Sequence, residues 1–132
     1  MVDIRMRVYY EDTDSTGVVY HAGYLRYFER ARSEWLRNLG FSHQALSETF
    51  GIAFTVSRLS IDYLRPARLD DVLIASAEIE QCRRASFCFE QNLQREGESK
   101  RLARAQVRVA CVNVETFKPC GLPEPLYRQL IR

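Results

Sequence analysis

No stretch of this chain is long and apolar enough to span a bilayer. The opening segment, Met1-Val-Asp-Ile-Arg-Met-Arg7, lacks the apolar core of a secretory signal. Both absences point to the cytoplasm. The four cysteines, Cys82, Cys88, Cys111 and Cys120, include no Cys-x-x-Cys pair, and neither histidine lies at ligand spacing from them. No metal site is expected, and free thiols in a reducing compartment are. A cysteine nucleophile is disfavoured, because no sequence feature ties His21 or His43 to one as a base. Of 19 basic residues only Lys100 and Lys118 are lysines, no basic run occurs, and the net charge is +2. That balance is too mild for a nucleic-acid binder. No repeat, low-complexity tract or linker interrupts the 132 residues, so a single domain spanning 1–132 is expected.

What is present concentrates between Tyr9 and Arg37. An acidic turn with Asp12 and Asp14 is followed by Gly17, His21 and a long helical pattern. Tyr24, Leu25, Phe28, Ala31, Trp35, Leu36 and Leu39 recur three and four apart, which makes one broad apolar face. Gly40 is a stop signal. Glu29 with Arg32, and Glu34 with Arg37, are spaced as surface pairs. Arg32 falls inside the apolar arc, where a charge needs a partner. Two readings stand: a pair with Glu29 at the rim or at a subunit contact, or a residue bordering a substrate pocket. Gly17 allows a tight bend or a close approach of backbone to ligand. His21 stands where the helix should begin, and the first turn of a helix offers unpaired N–H groups that can polarise a carbonyl oxygen. A carboxylate facing such a place is what acyl transfer or hydrolysis needs.

The remaining elements read mostly as strands. Ile4, Met6, Val8 and Tyr10 alternate with Arg5 and Arg7, which predicts a first strand over Ile4–Tyr10. Phe41–Phe50 reads as a helical turn or two with Ser42 as cap, and His43 as a solvated residue there. Phe54 and Val56 then share one phase and Leu59, Ile61 and Tyr63 the other, so a long strand with a bulge is expected. Pro66–Asp71 is a turn. Leu73, Ala75, Ala77 and Ile79 mark a strand, as do Phe87, Phe89 and Leu93, and as do Ala103, Val107, Val109 and Cys111. Arg83-Arg84 and Glu96-Gly97-Glu98 are the turns between them. Pro119–Pro125 reads as a loop and Leu126–Ile131 as a short helix. One helix followed by strands does not alternate as a parallel α/β fold would, and it fits one antiparallel sheet around one helix.

Tyr10-Glu-Asp-Thr-Asp14, Gly17-Val-Val-Tyr-His21, Tyr24 and Glu29-Arg-Ala-Arg32 resemble the signature of the 4-hydroxybenzoyl-CoA thioesterase-like hotdog family, nearest its Tol-Pal-associated acyl-CoA thioesterase branch. Ser42-His-Gln-Ala-Leu46, Pro66-Ala-Arg-Leu-Asp-Asp71, Val109-Ala-Cys-Val112 and Lys118-Pro119 extend the resemblance over roughly residues 5–126. It implies an α+β hotdog fold, a five-stranded antiparallel sheet wrapped around one long central helix. It also implies an acyl-CoA thioester hydrolase acting on a short aliphatic or aromatic acyl group without a cofactor. Asp14 matches the family's catalytic carboxylate, nucleophile or general base. His21 matches the active-site histidine, and its backbone N–H lies where the family polarises the thioester carbonyl. Tyr10 matches an aromatic residue beside the site. Gly17, Val18, Val19, Tyr20, Tyr24, Glu29 and Arg32 complete the signature and are substrate-binding candidates. The family pairs subunits, so a homo-oligomer, dimer or tetramer, with the site at the interface is implied. Acyl carrier protein is a possible partner, and Arg65, Arg68, Arg83 and Arg84 are candidates for its acidic surface or for the phosphates of coenzyme A. For Arg83 and Arg84 a solvated turn is the simpler reading. Three alternatives remain: a non-catalytic acyl-binding scaffold, a dehydratase on the same fold, and a magnesium-dependent haloacid-dehalogenase-like phosphatase, whose Asp-x-Asp-x-Thr motif Asp12-Thr-Asp-Ser-Thr16 also spells.

Overall fold

The computed structural model describes residues 2–131. Its strands are β1 (Val2–Arg7), β2 (Ile52–Tyr63), β3 (Val72–Cys82), β4 (Ser86–Arg95) and β5 (Arg101–Asn113), and its helices are α1 (Gly23–Asn38), α2 (His43–Phe50) and α3 (Glu124–Leu130). The strands form one antiparallel sheet in the order β1-β3-β4-β5-β2. Helix α1 lies across β1, β3 and β4, and α2 covers β2. This is the α+β hotdog arrangement. It excludes the alternating, parallel layout that the phosphatase reading of Asp12 requires.

Helix α1 buries Tyr24, Tyr27, Phe28, Ala31, Trp35 and Leu36, again three and four apart. Burying a side chain such as Phe28 contributes about 1.5–3 kcal/mol. Leu25, assigned by spacing to that face, is 37% exposed, and Tyr27 is buried in its place. The true arc is thus rotated toward β1 and β3. Beneath it, β3 presents Leu73, Ala75 and Ala77, whose small alanines let the aromatic helix face approach. β4 turns Phe87, Phe89, Gln91 and Leu93 inward in alternation, and β5 turns Ala103, Ala105, Val107, Val109 and Cys111 inward, with Leu102 and Val112 also buried near its ends. Trp35 packs edge-on against Phe89, with ring centroids 4.8 Å apart.

Three boundaries differ from those read by periodicity. β1 ends at Arg7, and Tyr10–Asp12 is a 3-10 turn. The cause is local: the Asp12 carboxylate accepts the Tyr9 N–H at 2.9 Å, which bends the chain before Tyr10 can pair. α1 starts at Gly23, two residues after His21. α3 starts at Glu124 inside the proline-rich segment, because Pro125 sits in the first turn, where its missing N–H costs nothing. Elsewhere the reading holds. Ser42 caps α2 through a bond from Ala45 N–H at 3.1 Å, and Gly51 closes it with φ 67°. β2 pairs with β5 along its length, with a register slip between Val56 and Arg58 where the bulge is expected. The other edge of β2 carries no strand among the described residues.

Candidate active site

The acidic segment folds as a small hairpin. Thr13 bridges Val19, Asp14 N–H donates to Val18 O at 2.9 Å, and Gly17 N–H donates to Asp14 O at 3.1 Å. Gly17 has φ 81°, a left-handed conformation that an L side chain rarely adopts. The hairpin is fastened to the 66–71 loop: Val19 N–H reaches Ala67 O at 2.8 Å, and Leu69 N–H reaches Gly17 O at 3.1 Å. That loop is itself held by Arg95, which binds Asp71 at 2.8 Å and Pro66 O at 2.7 Å. The segment that reads in sequence only as a turn is therefore the platform for the hairpin.

Asp14 Oδ1 accepts the Thr16 hydroxyl at 2.6 Å and the Thr16 N–H at 2.8 Å. These two bonds hold the Asp14 carboxyl below the usual carboxylate range. The group is exposed and ionised, and Oδ2 accepts nothing among the described residues. Asp12, by contrast, is spent on structure: its carboxylate caps the 3-10 turn and its carbonyl accepts Tyr20 N–H at 3.2 Å. Beneath it lies the buried Tyr27 hydroxyl, which makes no well-aligned hydrogen bond, and burial followed by Asp12 pushes this phenol up from its ordinary value.

His21 is exposed and stands between Tyr20, 4.4 Å away by ring centroid, and Tyr63, 6.1 Å away. The Tyr63 hydroxyl donates to His21 O at 2.7 Å. Gly23 N–H is taken by Tyr20 O at 2.7 Å and Leu25 N–H by Ala22 O at 3.2 Å, while the N–H groups of His21, Ala22 and Tyr24 make no hydrogen bond among the described residues. A side chain at Gly23 would bring its Cβ to 3.1 Å from Val19 Cγ1, so glycine lets the helix start pack on the hairpin. Tyr24 is an anchor: it is buried, and its hydroxyl accepts Ala67 N–H at 3.0 Å.

Apart from Glu29 and Arg32, these candidates fall into three groups. Val19, His21 and Tyr24 line one open depression together with Tyr63, Leu64 and Arg65. Asp14, Gly17 and Val18 form the hairpin beside it. Tyr10, 82% exposed, lies in a separate depression with Tyr9, Glu11 and Leu69.

Glu29 and Arg32 are on the other flank of α1. They line a cavity of about 130 Å³ with Ser33, Trp35, Phe54, Phe87 and His43 among its walls. The expected Glu29–Arg32 pair is not made. Arg32 instead donates to Gln91 Oε1 at 2.9 Å. Gln91 is fully buried and spans the layers, donating to Phe28 O at 2.9 Å and Ser76 O at 3.1 Å. Glu29 accepts the Ser33 hydroxyl at 3.0 Å, and His43 Nε2 lies 3.2 Å from the same hydroxyl. His43, read as solvated, is exposed; it also joins this polar cluster and meets Phe54 edge-on at 6.1 Å. Gln91 was visible as a polar residue in the buried phase of β4. Ser33, His43 and Phe54 carry no such signal, because they meet only in the fold. Arg84 pairs with Glu124 at 3.4 Å and lies over the Tyr127 ring at 4.8 Å.

Residues 16–101 match the thioesterase superfamily profile. The chain is 49% identical over 119 residues to an acyl-CoA thioesterase, YbgC, of Haemophilus influenzae, covering 90% of this chain and 86% of that one. It is 46% identical over 121 residues to an acyl-CoA thioester hydrolase, YbgC, of Escherichia coli O157:H7, covering 92% and 89%. A probable thioesterase from Bartonella henselae superposes with a TM-score of 0.87 at 40% identity, over 92% of this chain and 98% of that one. A 1,4-dihydroxy-2-naphthoyl-CoA thioesterase from Synechocystis superposes with a TM-score of 0.89 at 29% identity, over 98% and 94%. The chain belongs to the thioesterase superfamily of hotdog proteins, in the Tol-Pal-associated branch that the YbgC relatives represent.

Proposed function

We propose that this thioester hydrolase acts on acyl-CoA, with Asp14 as the attacking or water-activating carboxylate. The observation that carries the reading is the state of Asp14: ionised, exposed, fixed through one oxygen by Thr16 and open at the other. If Oδ2 attacks the thioester carbon, an acyl-enzyme anhydride forms and coenzyme A leaves as thiolate; water then hydrolyses the anhydride. If Asp14 acts as base, it takes the proton of a water that attacks the same carbon, and the products are again free acid and coenzyme A. The unengaged N–H groups at His21 and Ala22 are suited to the developing oxyanion. Arg65, on the rim of the His21 depression, offers charge for the phosphates of coenzyme A or of a carrier-bound pantetheine. The reading assigns the activity to one domain over residues 1–132, without a cofactor, in the cytoplasm.

The working unit in this reading is a homo-oligomer built on a dimer. β2 supports it: 12 residues at about 3.3 Å each leave an unpaired edge about 40 Å long. An edge of that length carrying Val56, Leu59 and Tyr63, all 41–47% exposed, calls for a strand partner. A second copy of β2, running antiparallel across a two-fold axis, supplies one.

The test is hydrolysis of short, medium, long and aromatic acyl-CoAs by the wild type beside Asp14→Asn, followed by ultraviolet loss of the thioester bond. Turnover of at least one substrate by the wild type and its loss in folded Asp14→Asn support the reading. Equal turnover by both proteins removes Asp14 from the chemistry.

A further inference from the structure

Two of the four cysteines meet at the far end of the sheet from Asp14, and the chemistry there uses neither. After β5 the chain reverses at Asn113. The Asn113 Oδ1 accepts the N–H groups of Glu115 at 2.9 Å and Thr116 at 3.1 Å, and Asn113 N–H donates to Lys118 O at 3.0 Å. The returning segment lies antiparallel to β5, with Val112 bridging Pro119. One step along that pairing sets Cys120 opposite Cys111, and Cys120 N–H donates to Cys111 O at 3.0 Å. Their sulfurs are 3.6 Å apart. Residues directly opposite in an antiparallel pair have Cα atoms about 4.5–5.5 Å apart. A disulfide spans about 4.4–6.8 Å. Cys82 and Cys88 make no second pair, because they stand opposite Phe87 and Gln81 in the β3–β4 ladder.

The segment after Cys120 is a strap. Leu122 N–H donates to Arg84 O at 2.9 Å, and Leu122 and Leu126 are buried. Glu124 holds Arg84, and Gln129 donates to Leu39 O at 3.3 Å, at the end of α1. Residues 120–130 thus tie the β3–β4 turn to the C-terminal end of α1, without a covalent bond.

We propose that Cys111 and Cys120 are a redox-responsive pair: a small-molecule disulfide oxidises them to an intramolecular disulfide, which fastens the C-terminal strap to β5. The two thiols divide the work. Cys120 is half-buried and within reach of a reagent, while Cys111 is buried. Burial, then the contact with Cys120, pushes the Cys111 thiol up to about 12. A thiol so rarely ionised does not attack first. The Cys120 thiolate attacks one sulfur of the oxidant, and the other sulfur leaves as a thiolate. Cys111 then loses its proton and attacks Cys120 Sγ, and the second half of the oxidant leaves. Two protein thiols become one disulfide, and one disulfide becomes two thiols. The link closes a loop of ten residues from Cys111 to Cys120. It removes freedom chiefly from the unfolded chain, and so stabilises the folded one.

The experiment uses the full chain and needs no substrate, so its outcome is independent of the thioesterase reading. The reduced protein is exposed to excess glutathione disulfide, quenched in acid, unfolded and alkylated. Cleavage after Glu115 separates the two cysteines for mass spectrometry. The expected product links Cys111 to Cys120 and leaves Cys82 and Cys88 outside the link. Four alkylated thiols, or glutathione retained on Cys120 with Cys111 free, overturns the proposal. In Cys120→Ser the same reagent should leave Cys111 open to alkylation; oxidation of Cys111 there overturns the order of attack. The linked wild type should unfold about 5–10 °C above the reduced protein. Cys120→Ser should unfold at one temperature with or without the reagent. A linked wild type whose midpoint is unchanged or lower overturns the fastening.

Discussion

The two ends of α1 are built by opposite means. At the N-terminal end the carboxylate proposed as catalytic stands in the open, and backbone hydrogen bonds hold its hairpin: Thr13 to Val19, Val19 to Ala67, Leu69 to Gly17. Farther along, at Arg32, side-chain packing builds a half-open, largely aromatic cavity, and a buried glutamine tethers the Arg32 guanidinium. The first arrangement fixes the direction of a carboxylate while leaving it wet and ionised. The second fixes a shape lined mostly by apolar side chains. The first property suits the role proposed for Asp14, and one helix joins the two regions.

The sharpest way to break that contrast is at the carboxylate. Asp14→Asn keeps the Thr16 contacts in outline but removes the charge, and kcat/KM should fall by about 10²–10⁴-fold with little change in thermal unfolding. At the packed end the effect should invert. Phe28→Ala, in the core between the two regions, should cost about 3–5 kcal/mol in denaturant unfolding, and activity should follow the folded fraction. A drop in activity without a drop in stability there would blur the distinction. Gly17→Ala probes the hairpin backbone: space is available, but φ 81° is not. The strain is about 1–2 kcal/mol, and activity should fall more steeply than stability, because the turn that strains is the one that aims Asp14.

The smallest effect is in pH. The pKa of Asp14 in the folded protein lies below its unfolded value, so the ionised form survives as pH falls. The acid limb of kcat/KM should therefore lie below the ordinary aspartate value of about 3.9. Thr16→Val removes the hydroxyl that contributes most to the depression and should move the limb upward. A limb that stays in place would mean that another group controls ionisation.

The same contrast governs what could be read from the chain alone. The hairpin end is contiguous: Asp14, Gly17 and His21 are within eight residues, so spacing carries the signal. The strands were legible because Phe87, Phe89 and Leu93 alternate without reference to anything distant. The cavity end was not, since Ser33, His43, Phe54 and Phe87 come from four elements and meet only through topology. Gln91 stands out in sequence only as a polar residue in the buried phase of β4, which reads as an interruption; its three hydrogen bonds show it to be a strut. The helix start was displaced by two residues because Gly23, packed on Val19, begins the helix without any capping side chain.

The most direct test of the whole account is a mixed oligomer. Asp14→Asn and Arg32→Met chains, differently tagged, are co-expressed, the hybrids are purified, and turnover of the wild type's preferred acyl-CoA is measured. If the hairpin of one copy serves the cavity of the other, each hybrid dimer carries one intact site and one doubly damaged site. The purified hybrids should then recover about half of wild-type turnover, well above either parent. Turnover no greater than the mean of the two parents would contradict the account, since hairpin and cavity would then belong to the same chain or to no common site.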